Sequence, residues 1–270
     1  MQIDFYPKRI ICLTEETTET LYLLGAQDRI VGISGFTVRP KEARKEKPKV
    51  SAFIDANIDE ILDLKPDLVI GFSDIQADIA KELISKGVTV WVNNHRSVED
   101  ILKMIVQLGS LVGKRKEAIA LVTGYQQRIL EVQQLVSSWN KKPNVYFEEW
   151  YDPLISGIQW VSELIEIAGG KDLFDEFRDK SLAKDRIIEY HQTVVDRNPD
   201  IILVSWCGKM FKPKKMFNRE GWQTITAFEQ NEVHEIDSSI ILQPGPAALS
   251  EGLEQLHLIF SNWIKKHDSQ

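Results

Sequence analysis

The chain has 270 residues, and its 33 Lys plus Arg against 40 Asp plus Glu give a formal net charge of −7. That balance offers no global positive field to hold a polyanion, which argues against nucleic acid and anionic membrane surfaces as partners. No run approaches the ~18 apolar residues a membrane span requires, and the length suits roughly two domains of about 150 residues each.

The opening MQIDFYPKRIICL places Asp4, Lys8 and Arg9 where a signal peptide would hold an uninterrupted apolar stretch, so the sequence as written carries no export signal and reads as cytoplasmic. A periplasmic or surface-anchored location would follow if a leader had been trimmed. Strand-like β-branched runs at residues 10–13, 30–33, 68–72 and 88–92 alternate with helical periodicity, and the rhythm resumes at 145–147, 201–204 and 233–236. The expected fold class is α/β, with two similar βα lobes and mainly parallel sheets. The halves echo one another: Lys65-Pro66-Asp67-Leu68 matches Asn198-Pro199-Asp200-Ile201, and amphipathic helices stop at Gly25 and again at Gly169.

Between the lobes, Ser97-Val98-Glu99-Asp100 fits a capping box, and Gly113 divides the following segment into two helices. In the second of these, Ala118, Val122, Tyr125, Ile129, Val132, Val136 and Trp139 recur at spacings of three and four. A helix over 115–139 would be about 37 Å long, a stiff connection that predicts small hinge motion. The domain division read from this pattern is 1–96 for the N-terminal lobe, 97–141 for a bridging helical segment and 142–270 for the C-terminal lobe.

In open α/β sheets, ligands bind beyond the carboxyl ends of the strands. Residues 14–19 fill the first such position as a capped helix start whose acids suit the helix dipole. The remaining positions of the first half hold Phe36, Phe72 and Asn94. The second half offers Glu149, Trp150, Pro153, Gly157, Trp160, Trp206, Cys207, Lys209, Gln243 and Pro244. Three indoles in strand-end loops, Trp150, Trp160 and Trp206, are expected to form a ligand-facing wall.

Catalytic and metal signals are thin. The five His residues show no HxxxH or HxH spacing, and no GxSxG, phosphate loop or GxGxxG occurs. Glu148 and Glu149 are adjacent and would point to opposite faces of a strand. Cys12 and Cys207 form no CxxC, and Cys207 as a nucleophile would need a neighbouring base or positive charge. No catalytic residue, intrinsic cofactor or resident metal is expected.

Several stretches stand out in a fixed order: Pro7-Lys8-Arg9-Ile10-Ile11-Cys12-Leu13 with Thr17-Thr18-Glu19, Leu23-Leu24-Gly25, and Asp28-Arg29-Ile30-Val31-Gly32. Further along come Asn57-Ile58-Asp59-Glu60-Ile61 through Lys65-Pro66-Asp67, and Trp160-Val161-Ser162-Glu163-Leu164-Ile165 with Ala168-Gly169-Gly170. Taken together they resemble the solute-binding proteins of ABC importers for cobalamin and iron-siderophore complexes. Glu149-Trp150, Pro153-Leu154, Gly157, Trp206-Cys207-Gly208 and Gln243-Pro244-Gly245-Pro246 are most similar to the cobalamin-binding branch.

The resemblance implies two α/β lobes on a long rigid bridging helix and non-covalent capture of a corrinoid, a cobalamin-like ligand, in an inter-lobe cleft. It also implies an ABC permease as partner, with Asp59 or Glu60 as docking acid on the first lobe and only Glu189 near the corresponding place on the second. A monomer that binds a small metal chelate is expected, without nucleic acid or membrane insertion. A haem or ferric-siderophore binder is the alternative, with Arg186 and Lys209 offsetting ligand carboxylates. An alternative of another class is a cytoplasmic tetrapyrrole-processing enzyme on a chelatase-like scaffold, using Cys207 or the carboxylates.

Overall fold

The computed structural model describes residues 5–267, so the part of the leader expectation that rests on Asp4 lies outside them. The first part of the chain runs β1 (Ile10–Cys12), α1 (Glu15–Leu23), β2 (Ile30–Ser34), α2 (Lys41–Glu46), β3 (Lys49–Ala52) and β4 (Asp55–Ala56). It continues with α3 (Ile58–Asp63), β5 (Leu68–Phe72), α4 (Ala77–Ser85) and β6 (Val90–Asn93). The sheet has the order β4-β3-β2-β1-β5-β6 and is parallel except where β3 meets β4. Every residue of β1 and β5 is buried, the pattern of central parallel strands covered on both faces.

Helices α5 (Val98–Leu111) and α6 (Arg115–Val136) follow, divided at Gly113, which adopts the left-handed φ of 71°. Helix α6 ends three residues before the expected 139 and is about 33 Å long. Its end is explained by side chains that compete for helical carbonyls: Ser137 Oγ donates to Gln134 at 2.7 Å and Ser138 Oγ to Leu135 at 3.2 Å. Trp139 then lies against Gly169, where an added Cβ would come within 2.5 Å of the indole. On the helix itself Ala118, Val122, Val132 and Val136 are buried, the stripe anticipated from their spacing.

The second part contains β7 (Asn144–Glu148), β8 (Trp150–Tyr151), β9 (Leu154–Ile155), α7 (Gln159–Ile167), β10 (Lys171–Asp172) and β11 (Ile187–Ile188). After these come α8 (His191–Arg197), β12 (Ile201–Val204), α9 (Pro213–Phe217), α10 (Thr226–Glu229), β13 (Val233–Glu235), α11 (Ser238–Ile241) and α12 (Leu253–His267). Its main sheet, β10-β7-β12-β13, is entirely parallel, and a small antiparallel sheet has the order β11-β9-β8. Contacts group the chain into two compact units, one through His95 with Glu99–Gly124, the other Arg96–Val98 with Tyr125 onward; α6 contributes residues to both. The fold is therefore α/β, with a mainly parallel sheet in each unit.

The echo between the halves has a structural counterpart. In the first unit β1 lies between β2 and β5, and in the second β7 lies between β10 and β12. The Asp after each proline plays the same part in both units. Asp67 accepts from the Lys8 and Arg9 amides at 2.7 and 2.9 Å, and Asp200 from the Asn144 amide at 2.8 Å. Each carboxylate satisfies backbone donors where the neighbouring central strand begins. The Gly stops agree as well, since Ala26 N–H donates to Leu21 at 2.8 Å and Gly170 N–H to Ile165 at 2.9 Å across the same turn. No helix among the described residues is long and apolar enough to cross a membrane.

Candidate functional site

In the second unit, Val204 is in register with Glu148, so the loops that leave β7 and β12 start side by side at the carboxyl edge of the sheet. They stay together for three more residues: Ser205 N–H donates to the Glu148 carbonyl at 2.9 Å and Cys207 N–H to that of Glu149 at 3.3 Å. This pairing brings Glu149, Trp150, Trp206, Cys207 and Lys209 into one neighbourhood. It also draws in residues whose role the sequence did not reveal: Tyr151, Phe211, Lys215 and Arg219.

The aromatic rings form a continuous run. Trp150 meets Tyr151 with centroids 5.2 Å apart, Tyr151 meets Trp206 at 4.7 Å, and Trp206 meets Phe211 edge-on at 5.2 Å. Trp206 is buried, whereas Trp150 and Tyr151 are partly open to solvent. Beneath the run, Glu148 is fully buried and accepts from the Trp206 indole at 2.9 Å, the Tyr146 hydroxyl at 3.1 Å and Arg219 at 2.5 and 3.1 Å. Burial raises the Glu148 carboxyl above its usual range, against the opposing pull of the Arg219 guanidinium. Arg219 also donates to the Tyr151 carbonyl at 2.9 Å and lies 4.3 Å over the Trp222 ring. One buried ion pair thus fixes both the indole of Trp206 and the backbone of Tyr151.

Strand alternation sends Glu149 to the other face, where Arg186, itself only 2% exposed, grips it at 2.6 and 3.1 Å. Arg186 is therefore occupied and is no free cation for a ligand carboxylate, which corrects that part of the haem expectation. Lys209 is exposed; its Nζ stands 4.7 Å over Trp150 and donates to the Tyr151 hydroxyl at 3.3 Å. The Tyr151 phenol is pulled below its ordinary value, first by that hydrogen bond and then by the charges of Lys209 and Lys215. The Cys207 thiol is pushed up by loss of solvent and by the Glu149 carboxylate, the reverse of what activates a nucleophile. Among the described residues no group of three or more His, Cys, Asp or Glu is arranged to hold a metal ion.

The remaining sequence candidates of this unit lie elsewhere. Trp160 is not part of the ring run: it is 3% exposed and its indole N–H donates to Ile241 at 2.9 Å, because α7 turns it into the interior. Gly157 is buried, with Phe147 and Val161 each 3.4 Å from where an added Cβ would stand, and Pro153 is exposed at the turn between β8 and β9. Gln243 is half-buried and Pro244 buried in the segment after α11. Glu189 is exposed between β11 and α8.

In the first unit, Phe36 is 60% exposed just beyond β2, and Asn94 is exposed just beyond β6. Phe72 is buried and packs edge-on against His95 at 5.0 Å. Gln76, which no motif in the sequence singles out, ties these loops together: its Oε1 accepts from Phe72 N–H at 2.8 Å and its Nε2 donates to the Phe53 carbonyl at 2.8 Å. Asp59 and Glu60 are exposed in the first turn of α3.

The expected cap on α1 is absent. Thr14 Oγ1 donates instead to Glu16 at 2.6 Å, and Glu15, Glu16 and Glu19 are all buried. Burial is the main cause that lifts Glu15 to about 8 and Glu16 to about 7. Dipole complementarity alone does not describe these two acids, since protonation takes up much of their charge at neutral pH.

Comparison with known proteins agrees with this architecture. The sequence matches the family described as periplasmic binding protein over residues 10–240. The ABC transporter substrate-binding lipoprotein YvrC of Bacillus subtilis is 30% identical over 264 residues, spanning 93% of this chain and 79% of the relative. The vitamin B12-binding protein of Vibrio parahaemolyticus is 25% identical over 257 residues, spanning 92% of this chain and 87% of the relative. Among solved structures, the periplasmic haem-binding protein RhuT of Roseiflexus superposes with a TM-score of 0.82 at 21% identity, covering 95% of this chain and 99% of its own, a likeness of fold. The cytoplasmic expectation finds no support in these relatives, and all of them are named as binding proteins, none as an enzyme. A parallel sheet in each unit, ligand-type loops at the strand ends and a family match over most of the sequence lead to one conclusion: the chain belongs to the periplasmic binding protein family.

Proposed function

We propose that this chain is the solute-binding component of an ABC importer and that its ligand is a corrinoid held without covalent bonds. The observation that carries the reading is the run of rings Trp150, Tyr151 and Trp206 at the carboxyl edge of the second sheet, fixed from below by Glu148 and Arg219. Such rings offer a flat macrocycle about 0.5–1.5 kcal/mol per contact beyond burial. The relationship to a vitamin B12-binding protein over nearly the whole chain supports the same ligand class.

In this reading, Glu149, Pro153, Cys207, Lys209 and Gln243 border the platform, Phe36 and Asn94 are the ligand contacts of the first unit, and Trp160, Gly157, Phe72 and Pro244 give support from within. Residues 1–96 and 142–270 carry the contacting loops, and 97–141 connects them in sequence. Exposed Asp59, Glu60 and Glu189 are the proposed points of contact with a permease. The kinship to a lipoprotein favours a location outside the cytoplasm, where the chain works as a monomer. A haem or ferric-siderophore ligand is the second reading, favoured by the cationic Lys209 above Trp150.

Titration with cyanocobalamin, followed by quenching of tryptophan fluorescence, tests the first reading. Saturable quenching that is lost in Trp150→Ala and kept in Trp160→Phe is the expected result. Absence of any quenching up to tens of micromolar ligand would refute it.

A further inference from the structure

Four cationic side chains surround the aromatic run, and they divide into two kinds. Arg186 and Arg219 are buried, and each makes a two-point ion pair with its own carboxylate, Glu149 and Glu148 respectively. Their charge is spent within the protein. Lys209 and Lys215 are exposed, and neither forms an ion pair with a carboxylate among the described residues.

These two lysines nevertheless converge. The Lys215 Nζ stands 4.4 Å over the Tyr151 ring, and the Lys209 Nζ stands 5.3 Å from the same ring. The ammonium groups are therefore within about 10 Å of each other, about one Debye length at 0.1 M salt, close enough to act on one incoming anion. Each is held at the ring only by weak, exposed contacts, so both ammonium groups keep their charge available to a ligand. The Lys209 hydrogen bond, and after it the charges of both lysines, already ease ionisation of the Tyr151 hydroxyl. A ligand oxyanion arriving at this edge would meet two strongly hydrated point charges on flexible four-carbon stems, which can follow its position without the fixed bidentate geometry that a guanidinium fork imposes.

We propose that Lys209 and Lys215 form an oxyanion subsite at the edge of the Trp150–Tyr151–Trp206 platform, and that the ligand carries an anionic substituent, a phosphodiester or a carboxylate, outside its flat ring system. The proposal rests on the platform reading above and adds a requirement to it: ring shape alone does not define the cargo. A neutral macrocycle of the same outline is held less tightly than its anionic counterpart.

The test uses the full chain and the double variant Lys209→Met/Lys215→Met, with cyanocobalamin (one phosphodiester), dicyanocobinamide (none) and haemin (two carboxylates) as probes. Both side chains are exposed, and an unchanged melting temperature verifies that the variant is folded. Removal of the two charges is expected to weaken binding of the anionic probe by about tenfold or more and to abolish its salt dependence, with a much smaller change for dicyanocobinamide, and an equal loss for all three probes would overturn the subsite. Loss confined to cyanocobalamin assigns the phosphodiester, and loss confined to haemin assigns the carboxylate. Equal affinities of variant and unmodified protein for every probe that binds would overturn the subsite and leave the platform standing. Failure of the unmodified protein to bind any of the three would overturn the platform, and the subsite with it.

Discussion

Replacement of Arg219 by Met removes the cation paired with Glu148 while keeping much of the length of the side chain. The variant loses two hydrogen bonds to Glu148 at 2.5 and 3.1 Å, one to the Tyr151 carbonyl at 2.9 Å, and the stack 4.3 Å over Trp222. Stranding a buried charge in this way costs about 3–5 kcal/mol. Glu148 keeps the Trp206 indole at 2.9 Å and the Tyr146 hydroxyl at 3.1 Å, so the lower end, about 3 kcal/mol, is the appropriate figure. At roughly 2–4 °C per kcal/mol the melting transition of the second unit should fall by about 6–12 °C.

The deficit also carries a pH signature. Burial already raises the Glu148 carboxyl, and removal of Arg219 takes away its main counterweight, so its folded-state value rises further above the unfolded one. A group of that kind binds protons more readily when folded, so the penalty is greatest at neutral pH and shrinks as the pH falls into the carboxylate range. Glu148→Gln/Arg219→Met should recover at least half of the loss, because no charge is then buried. Urea denaturation followed by tryptophan fluorescence at several pH values measures all three quantities. A loss below about 1 kcal/mol, a deficit independent of pH, or a double variant no more stable than Arg219→Met would each refute the reasoning.

Glu15 and Glu16, raised to about 8 and about 7, should make the first unit more stable at pH 5 than at pH 9, by a few kcal/mol, and Glu15→Gln/Glu16→Gln should flatten that dependence in thermal melts. The sign follows from folded values above the unfolded carboxylate value: stability is present at low pH and is lost as pH passes through about 7 to 8. Gly169→Ala, at φ 96° and with Trp139 2.5 Å from the new methyl, should cost about 2–3 kcal/mol in urea denaturation. Gly25→Ala, at φ 66° with nothing within 4 Å, should cost only about 1 kcal/mol, since it bears the backbone strain alone. Cys207 should react with iodoacetamide more slowly than a free thiol at pH 7, and fully buried Cys12, pushed up to about 12, should remain unmodified until the chain unfolds; mass spectrometry of the alkylated protein measures both.

The fold was legible because its signals are local. Buried β-branched strands, the Pro-Asp pairs and the glycine stops each occupy a few adjacent residues, and each reappears in the structure as a strand, a strand-start carboxylate or a left-handed turn. The platform was legible only in part. Trp150 and Trp206 were found from their places after strands, but the same rule also selected Trp160, which helix α7 turns inward toward Ile241. A position after a strand says that a side chain leaves the sheet and leaves open which way the next helix carries it. Arg219 is invisible in sequence for a stronger reason: 71 residues separate it from Glu148, and nothing in its neighbours marks it as a partner. Lys215 lies in a stretch that resembles a solvated basic loop, and only the ring of Tyr151 beneath it gives it a direction.

The placement of the strands along the chain has a consequence for biosynthesis. All six strands of the first sheet fall within residues 10–93, whereas in the second the central β7 must await β10 and then β12, which ends at Val204. A nascent polypeptide can therefore assemble the amino-terminal sheet while the ribosome is still decoding the rest. During about fifty further codons β7 has an unpaired edge, a template for association with other chains. A holdase or a pause in elongation would be most useful over that interval, and a truncated product ending before β12 should be the form most prone to aggregate.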